Sequence, residues 1–541
     1  MQRTLYADPR GRFLHDAILA ACERFPNLIA IVDTSTSPPL RLTYAQYGER
    51  IRSLASGLVA AGMRPGDVLA IYLPNSWEFC SAFHAAALAG VIPTLLNPSY
   101  REREVRYQLE NSGAAMLLTD GPLIQDMNFD GLPGLRGVYT TRTAAAGARP
   151  FNSLLHTPAA PLPAPLAPPE DTIAALPYSS GTTGLPKGVM LSHLNLLANS
   201  YQLVGAQPGG IFRPDERILL SLPLYHIYGL NVILNPALLI GCTLVLMPRF
   251  ETASAQQLLL DERITMAPVV PPILNALVQA AERGNFPRDH CVSWVKCGAA
   301  PLPPDLARKF TAATGILVRQ GYGMTEASPV THVGFIEPER YRPESIGWPV
   351  AETECRVITP DSREAADDEP GELVMRGPQF MLGYWHAPEA TSAVLRDGWF
   401  WSGDVVRRDR EGFYYVLDRS KEMIKYKGFP VAPAEIEALL LEHPAVLDCG
   451  VVGRPDADAG QFPCAFVVLR EGFAPSARME SELMHFVGDQ LTAYKRPREV
   501  NFVASIPHTP SGKILRRELR KWIQGDQESA DEQTRTISVL R

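Results

Sequence analysis

Residues 67–119 read DVLAIYLPNSWEFCSAFHAAALAGVIPTLLNPSYREREVRYQLENSGAAMLLT and alternate between two kinds of segment. The short apolar runs at 67–73, 91–96 and 114–119 predict buried strands. The alanine-rich stretch 81–90 and the charged stretch 102–111 predict helices. Strand, helix, strand, helix, strand in this order is typical of a parallel sheet with helical crossovers, so the segment predicts an α/β fold.

The whole chain has 541 residues, of which 46% are hydrophobic and 20% charged. This composition is typical of globular proteins, and the length exceeds what one core of ordinary size accommodates. Lys and Arg number 51 against 58 Asp and Glu, which gives a net charge of −7. That balance offers no overall attraction for nucleic acid and argues against a polybasic membrane anchor.

The eight cysteines are far apart, and none forms a CxxC pair. This spacing predicts reduced thiols in a cytoplasmic protein, with no disulfide framework and no zinc site. The start of the chain, MQRTLYADPRGRF, lacks an apolar core, so no secretory signal is expected. The most apolar stretch, 228–247, contains asparagine, proline and glycine and predicts a buried helix, turn and strand instead of a transmembrane segment.

Two changes in composition divide the chain. Residues 157–169 contain six prolines and predict a stiff connector with no chemistry of its own. A second change follows Asp418, and the polar run after Gln524 predicts a frayed end.

A dense polar loop, SSGTTGLPKGV at 179–189, lies between two strand-like runs. Its glycines let backbone amides turn toward an anion, and its hydroxyls add further donors. Lys187 supplies a positive charge, so the loop can surround the β- and γ-phosphates of ATP. It is not a Walker A loop, because Gly188 follows the lysine where that motif has Ser or Thr.

This loop resembles the signature of the adenylate-forming superfamily, which includes acyl-CoA synthetases, peptide-synthetase adenylation domains and beetle luciferases. The resemblance continues through further motifs that cover nearly the whole chain in the family's order. These motifs are PLYHIYG at 223–229, GAAPL at 298–302, QGYGMTE at 320–326, GWFWSGD at 398–404, DRSKE at 418–422, KYKGF at 425–429, APAEIE at 432–437 and TPSGK at 509–513. The chain is most similar to 4-coumarate–CoA ligases and fatty acyl-CoA synthetases.

The resemblance implies a large N-terminal domain of α/β sheets with a distorted β-barrel, over residues 1–418. A small mobile α+β domain would follow at 419–541, with the active site between the two. The implied reaction joins a carboxylic acid to ATP to give acyl-AMP and pyrophosphate, and then transfers the acyl group to the thiol of CoA. ATP and CoA would be co-substrates, and Mg²⁺ the cofactor.

The nucleotide site that the resemblance implies combines the loop with later motifs. Glu326 and the Thr182 hydroxyl would hold Mg²⁺, which prefers hard oxygen ligands. Asp404 and Arg419 would bind the ribose, and Tyr322 would stack on the adenine. The full nucleotide-binding set would be Ser179, Ser180, Gly181, Thr182, Thr183, Gly184, Lys187, Gly298, Ala299, Gln320, Gly321, Tyr322, Gly323, Thr325, Asp404, Arg419 and Lys513.

The same resemblance implies catalytic roles for Lys513, His226, Glu326 and Lys187. Lys513 would bridge the acid and the α-phosphate during adenylation, where a positioned cation offsets the charge that gathers at phosphorus. The basic residues that follow it, at 516–521, predict a solvated helix face. The acyl pocket would be lined by His226, Tyr228, Gly229, Gly298, Gly321 and Val330.

The two half-reactions need different surroundings at one carbonyl, since Lys513 should be present for the first and absent for the second. The family meets this need by rotating the small domain about a hinge residue, which corresponds to Lys421. Rotation would bring in Lys425, Lys427 and Gly428 to line the path of CoA.

The pocket glycines leave room for a long or a flat acid. A medium- or long-chain fatty acid is the leading expectation, and an aryl acid such as 4-coumarate is the alternative. Pro430 stands where many aryl-CoA ligases have glutamine, which weakens the aryl assignment. Gln461, where relatives often have glutamate, is expected to be peripheral.

Three other classes of protein share parts of this pattern. An acyl-AMP ligase would load a carrier protein in place of CoA, and a luciferase-like oxygenase would need the same adenylation without any thiol. A non-catalytic nucleotide-binding protein is disfavoured because every catalytic motif is intact. The motif at 426–433, YKGFPVAP, favours CoA as the acceptor.

Overall fold

A computed structural model of the chain describes residues 8–132, 134–156, 160–179, 186–205, 212–335, 337, 339–419, 422–426, 429–456, 459–491, 493–509 and 512–523. The strands are β1 (Ile29–Asp33), β2 (Leu40–Thr43), β3 (Val68–Ile71), β4 (Ile92–Leu95), β5 (Ala114–Thr119), β6 (Gly137–Thr140), β7 (Arg149–Pro150), β8 (Ile173–Ser179), β9 (Lys187–Ser192), β10 (Arg217–Leu220), β11 (Thr243–Leu246), β12 (Met266–Val269), β13 (Trp294–Cys297), β14 (Leu317–Gly323), β15 (Val330–Val333), β16 (Trp348–Pro349), β17 (Glu354–Ile358), β18 (Gly371–Arg376), β19 (Gly383–Tyr384), β20 (Leu395–Arg396), β21 (Trp399–Arg408), β22 (Tyr414–Arg419), β23 (Ile424–Tyr426), β24 (Phe429–Val431), β25 (Val446–Asp456), β26 (Gly460–Leu469) and β27 (Glu499–Phe502).

Helices connect these strands and cover the sheets. They are α1 (Leu14–Arg24), α2 (Tyr44–Ala60), α3 (Trp77–Leu88), α4 (Glu102–Ser112), α5 (Gly121–Ile124), α6 (Asn152–Leu155), α7 (His193–Gly205), α8 (Asn235–Leu239), α9 (Thr252–Asp261), α10 (Pro271–Glu282), α11 (Pro304–Thr314), α12 (Pro388–Val394), α13 (Pro433–Leu440) and α14 (Ala477–Gly488).

An eight-stranded sheet has the order β19-β9-β8-β4-β3-β5-β6-β7. The strands at its centre are those predicted within residues 67–119, since β4 and β5 both pair with β3 in parallel. The residues of β3, β4 and β5 are all buried, as expected for parallel strands covered on both faces. The predicted parallel sheet with helical crossovers is therefore confirmed.

A nine-stranded sheet has the order β16-β15-β14-β13-β12-β10-β11-β1-β2. Strand β14 is parallel to β13 on one side and antiparallel to β15 on the other. The change of direction at β14 leaves the chain after Gly323 at the edge of the parallel part. Ligands of α/β sheets bind at such carboxyl ends, so this sheet places the motif at 320–326 where a ligand can reach it.

Two smaller sheets complete the fold. One contains β17-β18-β21-β20 with β22 paired to β21, and forms the half-barrel that the resemblance implied. The other, which we call the C-terminal sheet, contains β24-β23-β26-β25 with β27 paired to β26. The C-terminal sheet packs with α13 and α14 around its own core, which includes Ile436, Val451 and Val487. The fold class is as predicted, and the domain boundary at 418/419 remains a prediction.

The apolar stretch at 228–247 folds as predicted into helix, turn and strand. A π-helical segment spans Tyr228–Leu234 and continues into α8, and β11 follows it between β10 and β1 of the nine-stranded sheet. Within the described residues, no helix is both long enough and apolar enough to cross a bilayer. The eight cysteines are all unpaired, in agreement with the prediction.

Gly57 in α2 lies directly against α6. A Cβ atom at this position would come within 1.9 Å of the Leu154 carbonyl oxygen. Because overpacking a core costs typically about 1–3 kcal/mol, we expect Gly57→Ala to lower the unfolding free energy by that amount. The measurement is the urea midpoint followed by circular dichroism.

Gly134→Ala provides the matched control, since its nearest neighbour would be the Ala114 carbonyl oxygen at 3.7 Å, an ordinary contact. Equal midpoints for the two variants would contradict the close packing of α2 on α6.

Candidate functional site

Glu326 lies in a short 3₁₀ turn, Thr325–Ala327, immediately after β14. Its Oε1 accepts hydrogen bonds from the Ser179 hydroxyl at 3.2 Å and from the Tyr384 hydroxyl at 2.8 Å. The Lys187 Nζ lies 5.9 Å from the centre of the Tyr384 ring. The carboxylate therefore contacts the first residue of the loop that the sequence predicts to bind phosphate, and its second partner, Tyr384, lies near the lysine of that loop.

Asp404 lies near the middle of β21 and is 5% exposed. Its Oδ2 accepts a hydrogen bond from the Tyr322 hydroxyl, and its own N–H donates to the Ser402 hydroxyl at 3.1 Å. The backbone of Arg419 in β22 pairs with Asp404 in the same sheet. The predicted adenine and ribose residues thus lie together, although they are about 80 residues apart in the chain.

The backbone near Gly298 is shaped for close approach. Ala299 has a positive φ of 70°, a conformation that costs energy in a residue with a side chain and that occurs at binding sites. The Gln320 Oε1 is buried and has no hydrogen-bond partner among the described residues. A Cβ at Gly323 would come within 2.0 Å of the Pro329 carbonyl oxygen, so this position requires glycine.

Tyr228 contacts two of the other predicted acyl-pocket residues, His226 and Gly298. Its hydroxyl donates to the Lys296 carbonyl oxygen at 3.0 Å, and a Cβ at Gly298 would lie 3.5 Å from its ring. A Cβ at Gly229 would come within 2.4 Å of the Pro223 carbonyl oxygen. Val330, on β15, is 4% exposed. The structure therefore brings His226, Tyr228, Gly298 and Gly321 together, since a Cβ at Gly298 would also lie 3.2 Å from the Gly321 carbonyl oxygen.

His226 lies where the large domain meets the loop that carries Lys513. Its Nδ1 accepts the Tyr228 N–H at 3.2 Å, which leaves the ring proton of the neutral imidazole on Nε2. Burial, and to a smaller extent the positive charge of Lys513, lowers the pKa of His226 to about 4. His226 is therefore neutral at physiological pH and lies within electrostatic reach of Lys513.

The described residues next to Lys513 contact both parts of the chain. The Lys513 carbonyl oxygen accepts the Thr509 N–H at 2.8 Å, and the Lys513 N–H donates to the Thr509 hydroxyl at 3.0 Å. A Cβ at Gly512 would lie 2.8 Å from Cδ of Pro272 in α10. The structure thus has the arrangement in which Lys513 is present at the site.

The sequence predictions did not include Lys296, on β13. Lys296 is 2% exposed, and its Nζ has no hydrogen-bond partner among the described residues. The Nζ would lie 3.6 Å from a Cβ at Gly321, beside the predicted pocket. Burial, and then the charge of Arg319, lowers the pKa of Lys296 well below its usual range. A lysine inside the apolar run WVKC, directly before GAAPL, is the sequence feature that could have revealed it.

Tyr384 was missed as well, because nothing near it in the sequence indicates its contact with Glu326. Burial and the neighbouring Glu326 charge raise the pKa of Tyr384, so its hydroxyl keeps its proton and donates. Gln461, predicted to be peripheral, accepts the Lys425 N–H at 3.1 Å. Lys425 itself is exposed on β23.

Several predicted site residues lie outside the described residues. These are Ser180, Gly181, Thr182, Thr183, Gly184, Lys421, Lys427 and Gly428.

Comparison with known proteins identifies the family. The profile described as AMP-binding enzyme matches residues 18–385, and the profile described as AMP-binding enzyme C-terminal domain matches residues 435–513. The 4-coumarate-CoA ligase 1 of Narcissus pseudonarcissus is 37% identical over 519 residues, which cover 94% of this chain and 93% of that enzyme.

Solved structures of related ligases superpose on most of the chain. A benzoate CoA ligase from Burkholderia xenovorans LB400 matches with a TM-score of 0.83 and 28% identity, covering 94% of this chain and 100% of the other. The anthranilate CoA ligase AuaEII in complex with anthranoyl-AMP matches with a TM-score of 0.84 and 26% identity, covering 95% of this chain and 98% of the other. The chain therefore belongs to the AMP-binding enzymes of the adenylate-forming superfamily, and it is an AMP-forming acid–CoA ligase.

Proposed function

We propose that the chain activates a hydroxylated aromatic acid, of the 4-coumarate type, and transfers it to CoA. The observation that carries this assignment is the buried, unpartnered amine of Lys296 beside the acyl pocket. The relatives named as 4-coumarate–CoA ligases support the aryl alternative over the fatty acid that the sequence first favoured.

The magnesium site consists of Glu326 and the phosphate loop. Within the described residues, no three His, Cys, Asp or Glu side chains cluster as a metal site. A single carboxylate fits Mg²⁺, because this ion commonly takes one or two carboxylates and keeps phosphate and water as its other ligands. The Ser179 and Tyr384 hydroxyls hold the Glu326 carboxylate in place. Thr182 would add its hydroxyl to the same ion, which when bound neutralises phosphate charge.

The nucleoside of ATP binds between β14 and β21. Asp404 accepts hydrogen bonds from the ribose hydroxyls. Tyr322, whose hydroxyl already donates to Asp404, stacks its ring on the adenine. The unpartnered Gln320 Oε1 accepts the exocyclic amine of adenine. Arg419 follows on β22 as the second ribose contact.

Adenylation takes place beside His226. An oxygen of the acid attacks the α-phosphorus, the bond from that phosphorus to the bridging oxygen breaks, and pyrophosphate leaves. Lys513 offsets the negative charge that gathers in the transition state, while Lys187 contacts the departing phosphates. A neutral His226 does not compete with Lys513 for the carboxylate and donates from Nε2.

Thioester formation requires that Lys513 leave. Residues 419–541 rotate about Lys421, and Lys425, Lys427 and Gly428 replace the Lys513 loop at the opening. The CoA thiol, as thiolate, attacks the acyl carbon, and the bond to AMP breaks. AMP is a good leaving group, which a free carboxylate lacks.

The proposed identity of the acid depends on whether its tail gives the buried Lys296 amine a hydrogen-bond partner. A phenolic hydroxyl that reaches Lys296 Nζ gives this buried amine a hydrogen-bond partner. A saturated tail leaves the amine without one, and an unsatisfied buried polar group costs about 1–3 kcal/mol. We therefore expect hydroxylated acids to exceed unsubstituted ones about 10- to 100-fold in kcat/KM.

The test is CoA-dependent AMP release over 4-coumarate, cinnamate, hydroxybenzoates and saturated acids of graded length. We expect 4-coumarate to exceed cinnamate, and both to exceed the saturated acids. A preference for a long saturated acid would overturn the aryl assignment and leave the ligase activity intact.

We expect Lys296→Met to remove the preference for 4-coumarate over cinnamate, because the methionine leaves no unpaired amine. The ratio of the two kcat/KM values should fall to about one. Lys309→Met is the matched control, since Lys309 lies on the surface and pairs with Asp305 at 2.6 Å. An unchanged ratio in Lys296→Met would exclude contact between Lys296 and the acid tail.

A further inference from the structure

His508 spans the loop that carries Lys513. Its Nδ1 lies 3.2 Å from the Gly512 carbonyl oxygen, and its Nε2 lies 2.9 Å from Asp448 Oδ2 on β25. A carbonyl oxygen and a carboxylate can only accept hydrogen bonds, whereas a neutral imidazole has a single N–H. Both contacts are therefore satisfied only when His508 is an imidazolium.

Asp448 is a fixed anchor for that ring. Its Oδ1 accepts the N–H of Cys449, so the carboxylate is held against β25 while Oδ2 faces the histidine. The Asp448–His508 ion pair is partly exposed, with side-chain exposures of 34% and 26%. The ring thus connects a strand of the C-terminal sheet to the residue directly before Lys513.

The surrounding charges favour the protonated ring. The negative charge of Glu437 on α13 also raises the pKa of His508. Arg516 donates a hydrogen bond to the same carboxylate at 2.6 Å. Arg516 also bonds Glu422, so it is not part of the solvated helix face that the sequence predicted. The hydrogen bond to Asp448 raises the pKa of His508, and burial opposes this rise only in part.

The hydrogen bond from His508 to the Gly512 carbonyl also restrains Lys513, because the two residues are adjacent in the loop. Gly512 has a φ of 83°, and its N–H donates to the Thr509 carbonyl oxygen at 2.8 Å. The Gly512 carbonyl that His508 holds is the next backbone group before Lys513. Release of this carbonyl would remove one of the hydrogen bonds that hold the loop where it meets Pro272 of the large domain.

We propose that His508 is a positioning residue whose imidazolium holds the Lys513 loop for adenylation, and that loss of its proton releases the loop. This inference rests on the proposed role of Lys513 in adenylation. Thioester formation, for which Lys513 withdraws, does not need the restraint.

The sign of the pH dependence follows from the raised pKa. Below the ordinary value of 6.5 the ring is protonated, with or without Asp448, and both bonds form. As pH rises through the raised pKa, one bond is lost and adenylation should fall about tenfold, the effect of losing one charge-assisted hydrogen bond. Thioesterification of supplied acyl-AMP should show no fall assignable to His508.

The experiment compares wild type, His508→Lys and His508→Gln from pH 6 to 9.5, in acid-dependent ATP–pyrophosphate exchange and in thioesterification of supplied acyl-AMP. His508→Lys keeps its charge over this range and should lose the alkaline fall. His508→Gln should be about tenfold slower in exchange at every pH. Neither variant should be slower in thioesterification.

A second readout does not depend on activity. Histidine NMR of the full chain should give His508 a pKa above 6.5, and Asp448→Asn should lower it. Identical exchange profiles for wild type and His508→Lys, or a His508 pKa at or below 6.5, would overturn the inference. Failure of every acid to support exchange in wild type would instead contradict the proposed function, while the NMR result would still report on His508.

Discussion

Lys513→Ala is expected to slow acyl-AMP formation by about 10²- to 10³-fold, the effect typical of removing one preorganised charge from a transition state. The charge of Lys513 acts on His226, beside which we propose that the acid meets the α-phosphate. Thioesterification of supplied acyl-AMP should continue at close to the wild-type rate, because the proposed rotation withdraws Lys513 for that step. The measurement is the single-turnover rate of each half-reaction.

Lys521→Ala is the matched control, since Lys521 follows eight residues later and pairs with Glu518 on the surface at 2.8 Å. It should leave both rates unchanged. If a folded Lys513→Ala variant lost both half-reactions equally, the proposal that Lys513 acts only in adenylation would be wrong.

Glu326→Gln should lower kcat of adenylation by about 10²-fold and raise the Mg²⁺ concentration needed for half-maximal rate. The substitution keeps the shape and leaves an oxygen that can accept from Ser179 and Tyr384. It removes the negative charge, so the loss reports on the metal. The measurement is ATP–pyrophosphate exchange across a magnesium titration.

Tyr384→Phe distinguishes the role of Glu326 as a metal ligand from the role of the hydrogen bond that orients it. It removes one hydrogen bond to Glu326 but keeps the carboxylate, and we expect about a tenfold effect, the lower end of the range for one hydrogen bond to a charged group. A magnesium dependence that is equal in Glu326→Gln and wild type would exclude Glu326 as a ligand.

The sequence predicted most reliably what depends on local pattern. The strands around 67–119 appear where the apolar runs stand, since a buried parallel strand needs continuous apolar residues. Element ends were less accurate. The helix predicted to begin at Ser81 begins at Trp77, because the Ser76 hydroxyl accepts the Phe79 N–H and caps it there. Alanine content alone does not reveal that cap.

Contacts between distant segments could not be predicted from the residues themselves. That Tyr322 and Asp404 share a nucleotide site was predicted only through the family resemblance, the hydrogen bond between them was not predicted, and Lys296 and Tyr384 were missed. Arg516 resembled one of several surface cations in the sequence, yet it forms ion pairs with two carboxylates from earlier in the chain. The fold decides such contacts by bringing strands together, and no periodicity in the sequence records them.

The most direct test of a single cleft that performs both half-reactions is a pulse and chase. Enzyme, Mg²⁺, labelled ATP and 4-coumarate are mixed without CoA, and CoA is then added. We predict that acyl-AMP accumulates to about one per chain and is converted to AMP and coumaroyl-CoA when the thiol arrives. Acyl-AMP that forms but persists in the presence of CoA would contradict the account, as would the absence of acyl-AMP with every acid tried.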